Sequence, residues 1–165
     1  MNTDRTTDRL RKGFQLVTFA LGAENYGIHI SKVREILRPL DVFPVPGMGK
    51  DVEGVINLRG EIIPIVRMDC LVGRAHDAQP NAPRKRRVII IEAAAGSFGF
   101  SVDEVLEVAR IRAEEIQAPP EIGSRGAQGT VVTGIVKTSG RMVVCIDPEK
   151  LIPNDLMAKE LAIGR

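Results

Sequence analysis

Few residues in this chain have the type and spacing that chemistry needs, and those that do stand apart from one another. His29 alternates with Ile28 and Ile30 in a strand-like run, and His76 lies in a polar stretch, so neither has a second histidine at metal-ligand spacing. Cys70 and Cys145 each sit inside an apolar run without a C-x-x-C pattern, which predicts buried, reduced thiols. The adjacent acids Asp103/Glu104 and Glu114/Glu115 fall in segments read as helix-like or loop, where neighbouring carboxylates form a solvated face rather than an acid/base couple. Gly47-Met48-Gly49-Lys50 lacks both the spacing and the Ser/Thr of a phosphate-cradling loop and reads as a turn. The sequence therefore predicts no catalytic residues, no metal and no cofactor.

One charged cluster invites a different reading. Arg84, Lys85, Arg86 and Arg87 are four consecutive cations, and such a run neutralises phosphates, so a small nucleic-acid-binding barrel is the alternative to a protein-binding one. Against it, five Phe, one Tyr and no Trp leave little for base stacking, and the run directly precedes the apolar residues 88–91, where charge guards a strand edge. A net charge of +2 from 23 basic and 21 acidic side chains projects no strong field toward nucleic acid or an anionic membrane. With no apolar run near the ~20 residues that span a bilayer and a polar start, the chain is expected to stay in the cytoplasm without inserting into a membrane.

The elements that would position these residues are short and punctuated. Phe14–Leu21 and residues 26–30 read as a hairpin, residues 42–45, 55–58 and 62–66 as further strands, and Arg59-Gly60 as a turn. Val33, Ile36 and Leu37 fall at helical spacing behind Ser31, which predicts about two helical turns before Pro39. A connection over residues 74–83 precedes a new strand at 88–91, a turn at 95–97, a strand at 98–102 and a short segment at 103–108. Strands this closely spaced predict small barrels in an all-β fold with short helices.

The chain also repeats itself. At an offset of 72, Gly27, Val33, Glu35 and Ile36 fall on Gly99, Val105, Glu107 and Val108. At 80, Gly54, Val55, Ile56, Gly60 and Val66 fall on Gly134, Ile135, Val136, Gly140 and Ile146. The expected layout is a flexible tail over 1–13, one unit of two barrels over 14–73 and 84–152 with the first strand in either, and a tail or short helix over 153–165. Each barrel alone is near the size at which a core barely suffices, so the two should share an apolar interface.

The segment Gly54-Val55-Ile56-Asn57-Leu58-Arg59-Gly60-Glu61-Ile62-Ile63-Pro64-Ile65-Val66 resembles the signature of the CheW family, in which a strand enters N-L-R-G and leaves through an apolar-apolar-Pro-apolar-apolar run. The resemblance extends to Tyr26-Gly27-Ile28-His29-Ile30, to Val33 with Glu35-Ile36, to Phe100-Ser101-Val102-Asp103-Glu104-Val105, and to Thr133-Gly134-Ile135 with Gly140-Arg141-Met142. It implies two packed five-stranded SH3-like barrels. It also implies an adaptor joining the cytoplasmic tip of methyl-accepting chemoreceptors to the regulatory domain of a CheA-type histidine kinase, monomeric alone and part of a receptor array when bound. A regulatory module belonging with a kinase is a further alternative, although the chain holds no kinase or receiver motif.

By that resemblance, receptor contacts are expected at an apolar groove of Ile30, Val33 and Ile36 completed by Val102 and Val105, where a receptor helix would lay its apolar stripe. Glu35 and Arg59 match family positions of the same charge and are expected to form an ion pair that orients this surface. Kinase contacts are expected at Val42, Pro44, Val45 and Gly54, with Pro46 and Gly47 fixing the loop. The Pro44-x-Pro46-Gly47 run departs from the family pattern.

Overall fold

In a computed structural model describing residues 13–68, 85–118 and 131–151, alternation of small apolar and polar residues produces ten strands in two five-stranded sheets. They are β1 (Phe14–Leu21), β2 (Glu24–His29), β3 (Val33–Leu37), β4 (Val52–Leu58), β5 (Glu61–Val66), β6 (Arg87–Ala93), β7 (Gly96–Val102), β8 (Glu104–Ile111), β9 (Val132–Thr138) and β10 (Arg141–Ile146). One sheet runs β3-β6-β7-β5-β4 and the other β8-β1-β2-β10-β9. We call these the first and second barrels.

The sheets do not follow the sequential division at 14–73 and 84–152. Hairpin β1-β2 belongs with β8, β9 and β10, while hairpin β6-β7 belongs with β3, β4 and β5. The chain crosses between barrels at residues 30–32 and again at 103. Each early hairpin thus pairs in parallel with a strand of the other sequence half, β2 with β10 and β7 with β5. The first strand lies in the second barrel. Residues 1–12 and 152–165, with the predicted tails and terminal helix, lie outside the described residues, as do Cys70, His76 and Arg84.

Residues 31–37 are not helical beyond a single 3-10 turn, Ile30–Lys32; Val33–Leu37 is an edge strand paired with β6. An exposed isoleucine explains the mistaken period: Val33, Glu35 and Leu37 lie on the covered side of the strand and Arg34 and Ile36 on the open side, so an apolar residue facing solvent imitates helical spacing with Val33 and Leu37. The strand also carries a bulge, since Val33 faces Ile91 and Glu35 faces Ile90, leaving Arg34 extra. The repeat carries the same device: Val105 faces Phe19 and Glu107 faces Thr18, leaving Leu106 extra in β8 and making residues 103–108 mostly strand. Thr18, the buried polar residue here, bonds the backbone loosened by that bulge, donating from Oγ1 to the Glu107 carbonyl at 3.0 Å and accepting from its N–H at 3.2 Å.

Each sheet curls until its edges meet. The chain after β3 reaches β4 through a bridge between Phe43 and Val55, all that forms of the expected strand at 42–45, and the chain after β8 reaches β9 through Gln117 and Ile135. Glycine is required at both meetings, because a Cβ on Gly54 would overlap the Phe43 carbonyl and one on Gly134 would overlap the Ile116 side chain.

Three apolar clusters follow. Ile56, Leu58, Ile63, Ile65, Val88 and Ile90 fill the first barrel, and Leu16, Ala109, Ile111, Val136, Val143 and Cys145 fill the second. The third is the seam between barrels, where Phe19, Tyr26, Phe98 and Phe100 pack with Ile28, Val66, Ile89, Ile91 and Ile146. At about 1.5–3 kcal/mol for each large side chain removed from water, the seam is the shared core that two such small units need.

Candidate functional site

The closure of the first barrel builds its most distinctive polar feature. Arg59 occupies the tip of the β4-β5 turn with φ +50, followed by Gly60 at +86, the left-handed pair a two-residue hairpin demands. From there its guanidinium reaches the opposite edge and grips Glu35 of β3 as a fork, Nη2 to Oε2 at 2.6 Å and Nη1 to Oε1 at 3.3 Å. Beside it Arg34, the bulge residue, meets Glu61 of β5 at 2.9 Å and donates to Ser97 Oγ at 3.3 Å. Two ion pairs of crossed polarity therefore lace the mouth of this barrel, and the pair expected between Glu35 and Arg59 is present.

Apolar side chains are exposed on the same barrel. Ile36, next in sequence to Glu35, is 39% exposed, Ile62, next to Glu61, 62%, and Phe43, bridged to Val55, 60%, with Leu40 and Pro44 also on the surface. Exposed apolar residues together with ordered charges are what a docking surface presents. Phe43 and Ile62 were missed in the sequence because each sits in a strand-like apolar run, and such a run does not say which of its residues face solvent. Ile63 next to Ile62 is fully buried, and only the register separates the two.

The residues expected to form a receptor groove divide. Ile30 is exposed on the 3-10 turn and Ile36 on β3, whereas Val33 and Val105 are half-buried against the seam. Val102 is only 1% exposed and belongs to the seam core, its side chain turned inward by the alternation of β7, so it cannot line a surface. Of the four kinase-facing candidates, Pro44 is exposed, Val45 is half-buried and Val42 packs against the first barrel's interior. Gly54 is buried and serves barrel closure.

The second barrel repeats this layout with different chemistry. Ser139, at φ +52 before Gly140 at +74, matches Arg59 at an offset of 80 and donates to Glu107 Oε1 at 2.7 Å, where Glu107 matches Glu35. Exposed Val108 and Met142 match Ile36 and Ile62.

The remaining chemical candidates have other occupations. His29 stacks on Phe14 and shares its Nδ1 with the N–H and hydroxyl of Ser31. Burial of Cys145 pushes its thiol up to about 11, so it stays protonated and inert. Among the described residues no group of His, Cys, Asp and Glu is placed to hold a metal, and no helix is long and apolar enough to cross a membrane. Lys85 of the basic run faces Glu104 at 3.8 Å, and Arg87 donates to the Arg86 carbonyl.

Comparison with known proteins agrees with this geometry. A family model described as the CheW-like domain matches residues 15–155. The chain is 32% identical to the chemotaxis protein CheW of Treponema pallidum over 88% of this chain and 86% of that one. It is 30% identical to that of Thermotoga maritima over 90% and 93%. Among solved structures, the scaffolding protein TtCheW of Thermoanaerobacter tengcongensis superposes with a TM-score of 0.74 at 31% identity, covering 84% of this chain and 92% of the other.

Proposed function

We propose a function from the premise that the chain belongs to the CheW-like family. The protein is a non-enzymatic chemotaxis adaptor that holds a chemoreceptor and a CheA-type histidine kinase at the same time, working in the cytoplasm at receptor arrays. The observation that carries this reading is the exposure of Ile36, Phe43 and Ile62 on the barrel whose edges the Glu35–Arg59 and Arg34–Glu61 pairs lace together, a surface with binding character.

On this reading the receptor side comprises Ile30, Ile36 and the Glu35–Arg59 pair, with Val33 and Val105 as its floor and Val102 supporting them from the core. The kinase side comprises Phe43 and Pro44 over Val42 and Val45, on a loop whose close approach Gly54 permits. An adaptor needs two such faces in one rigid body, and the shared seam supports that rigidity.

The deciding experiment is a calorimetric titration with the regulatory domain of a CheA from the same genome, using Phe43→Glu and Arg59→Ala. Binding of about micromolar strength, abolished by Phe43→Glu and retained by Arg59→Ala, is expected. Phe43 replaces Val42 as the test position because Val42 packs on the interior, where a carboxylate would damage the fold. No binding by the unaltered protein would end the adaptor reading.

A further inference from the structure

The two barrels are joined covalently by crossovers, and one carboxylate bridges them a third way. Glu149 lies on the 3-10 turn Pro148–Lys150 that follows β10, so it belongs to the second barrel. Its Oε1 accepts the N–H of Ala94, in the β6-β7 turn of the first barrel, at 2.9 Å. Its Oε2 meets Lys32 Nζ at 3.0 Å, on the crossover that carries Ile30 into Val33. The turn that carries it is held by Asp147, whose Oδ1 caps the turn by accepting the Glu149 backbone N–H at 3.0 Å. The Ala94 hydrogen bond, then the Lys32 contact, hold its pKa below the usual carboxylate value.

The surroundings make this contact consequential. A cleft of about 440 Å³ separates the crossover, at His29, Ser31 and Lys32, from the 3-10 turn, and the Lys32–Glu149 pair spans it. In the repeat, Gly22 matches Ala94, and its N–H also goes to a carboxylate, Asp103 Oδ2 at 2.7 Å, from the other crossover. Each early hairpin turn is thus tied by an acid, but Asp103 reaches Gly22 from the crossover itself, whereas Ser31 at the matching place bonds His29. The acid that reaches Ala94, Glu149, does so from the far side of the cleft.

We propose that Glu149 is a latch that fixes the angle between the barrels and with it the presentation of Ile30 and Val33 to a receptor helix. The first half concerns the fold alone; the second rests on the receptor reading given above. Glu149 is a positioning residue, acting through Lys32 and the Ala94 amide.

The test uses the isotope-labelled full chain as wild type, Glu149→Ala and Glu149→Gln. Residual dipolar couplings are fitted separately for the two sheets, and Ala94 amide exchange is followed alongside. The wild type should give one alignment tensor for both sheets. Glu149→Ala should give two, with Ala94 exchange about tenfold faster and an unchanged far-UV spectrum. Glu149→Gln, whose amide oxygen still accepts from Ala94 while its amide nitrogen meets Lys32 donor to donor, should keep exchange within about threefold of wild type and bring the two sheets closer to a single tensor than Glu149→Ala does. One tensor and unaltered exchange in Glu149→Ala would overturn the latch.

Titration with a chemoreceptor cytoplasmic-tip fragment from the same genome reads the second half. Affinity should fall about fivefold to tenfold in Glu149→Ala and recover in Glu149→Gln. Unchanged affinity despite two tensors would overturn the presentation role. A fragment that fails to bind the wild type would overturn both the receptor reading and that role, while the tensors still decide the latch.

Discussion

Phe100→Ala tests whether the seam makes two small barrels into one cooperative molecule. Phe100 is fully buried on β7, its ring 5.5 Å from that of Phe19, which in turn stacks on Tyr26 at 5.9 Å. Truncation removes transfer free energy and leaves a cavity between sheets that their own hydrogen bonding holds apart, so the cost should be about 3–5 kcal/mol. For a chain of 165 residues, each kcal/mol lowers Tm by roughly 2–4 °C, which predicts a fall of about 6–20 °C. The assay is thermal unfolding followed by far-UV circular dichroism for the sheets and by tyrosine fluorescence for the seam. Tyr26 is the only tyrosine, no tryptophan is present, and its ring lies within the seam, so the second signal reports that core alone. Both signals should fall together in wild type and variant. A drop below about 3 °C, or a tyrosine transition that precedes loss of sheet signal, would refute the shared core and leave two independently stable barrels.

Other outcomes follow from single residues. Gly54→Ala should destabilise more than Gly134→Ala in urea unfolding, because the first Cβ overlaps the Phe43 backbone itself while the second overlaps first the γ2 methyl of Ile116, a side chain that can turn about its Cα–Cβ bond; overpacking of this kind costs about 1–3 kcal/mol. Arg59→Ala should change stability by less than about 1 kcal/mol, since an exposed ion pair contributes little, yet it should weaken receptor-fragment binding; equal losses in both would reduce the pair to a structural staple. In a Cys70→Ser background, Cys145 should resist Ellman's reagent at pH 8 until denaturant is added. Its folded pKa of about 11 lies above the ordinary value of 9.0, so between those limits the unfolded chain loses its proton first and binds fewer protons. Stability should therefore be complete below pH 9 and decline toward pH 11, and Cys145→Ala should remove that decline.

What could be seen in the sequence was whatever depends on local spacing. The repeat, the Arg59-Gly60 turn and the Glu35–Arg59 pair stand where expected, because a turn and its neighbours are fixed by a few adjacent residues; Gly54, expected on a kinase-facing surface, is instead buried at the barrel closure. Strand partnership was hidden. Nothing local distinguishes β2 pairing with β10 from β2 pairing within its own sequence half, and both choices bury the same apolar face. Strand β3 was hidden for a different reason, since an isoleucine on its exposed face makes Val33, Ile36 and Leu37 read at helical spacing. Inside and outside were equally illegible in runs apolar on both faces. Val102 and Ile36 look alike in sequence, but one enters the seam and the other meets solvent.

The duplication separates what the backbone requires from what the surface uses. Both copies keep the bulge, at Arg34 and Leu106, and both keep a non-glycine residue in the left-handed region, at Arg59 and Ser139. That conformation costs about 1 kcal/mol for arginine or serine alike, and glycine or asparagine would fill it more readily, so turn formation does not account for either side chain. What differs is the chemistry carried on the shared frame. Arg59 forks onto Glu35, whereas Ser139 offers Glu107 one hydroxyl; Arg34 pairs with Glu61, whereas their counterparts are Leu106 and Arg141. The exposed apolar pairs, Ile36 with Ile62 and Val108 with Met142, are alike at both ends. On the adaptor reading proposed above, both partner faces lie on the first barrel, and the charges that differ between the copies are what would keep a partner from taking the second mouth instead, because a misplaced or unpaired charge penalises the wrong docking. The duplication then serves rigidity by using one frame twice, while the ion pairs Glu35–Arg59 and Arg34–Glu61 mark a single mouth for recognition.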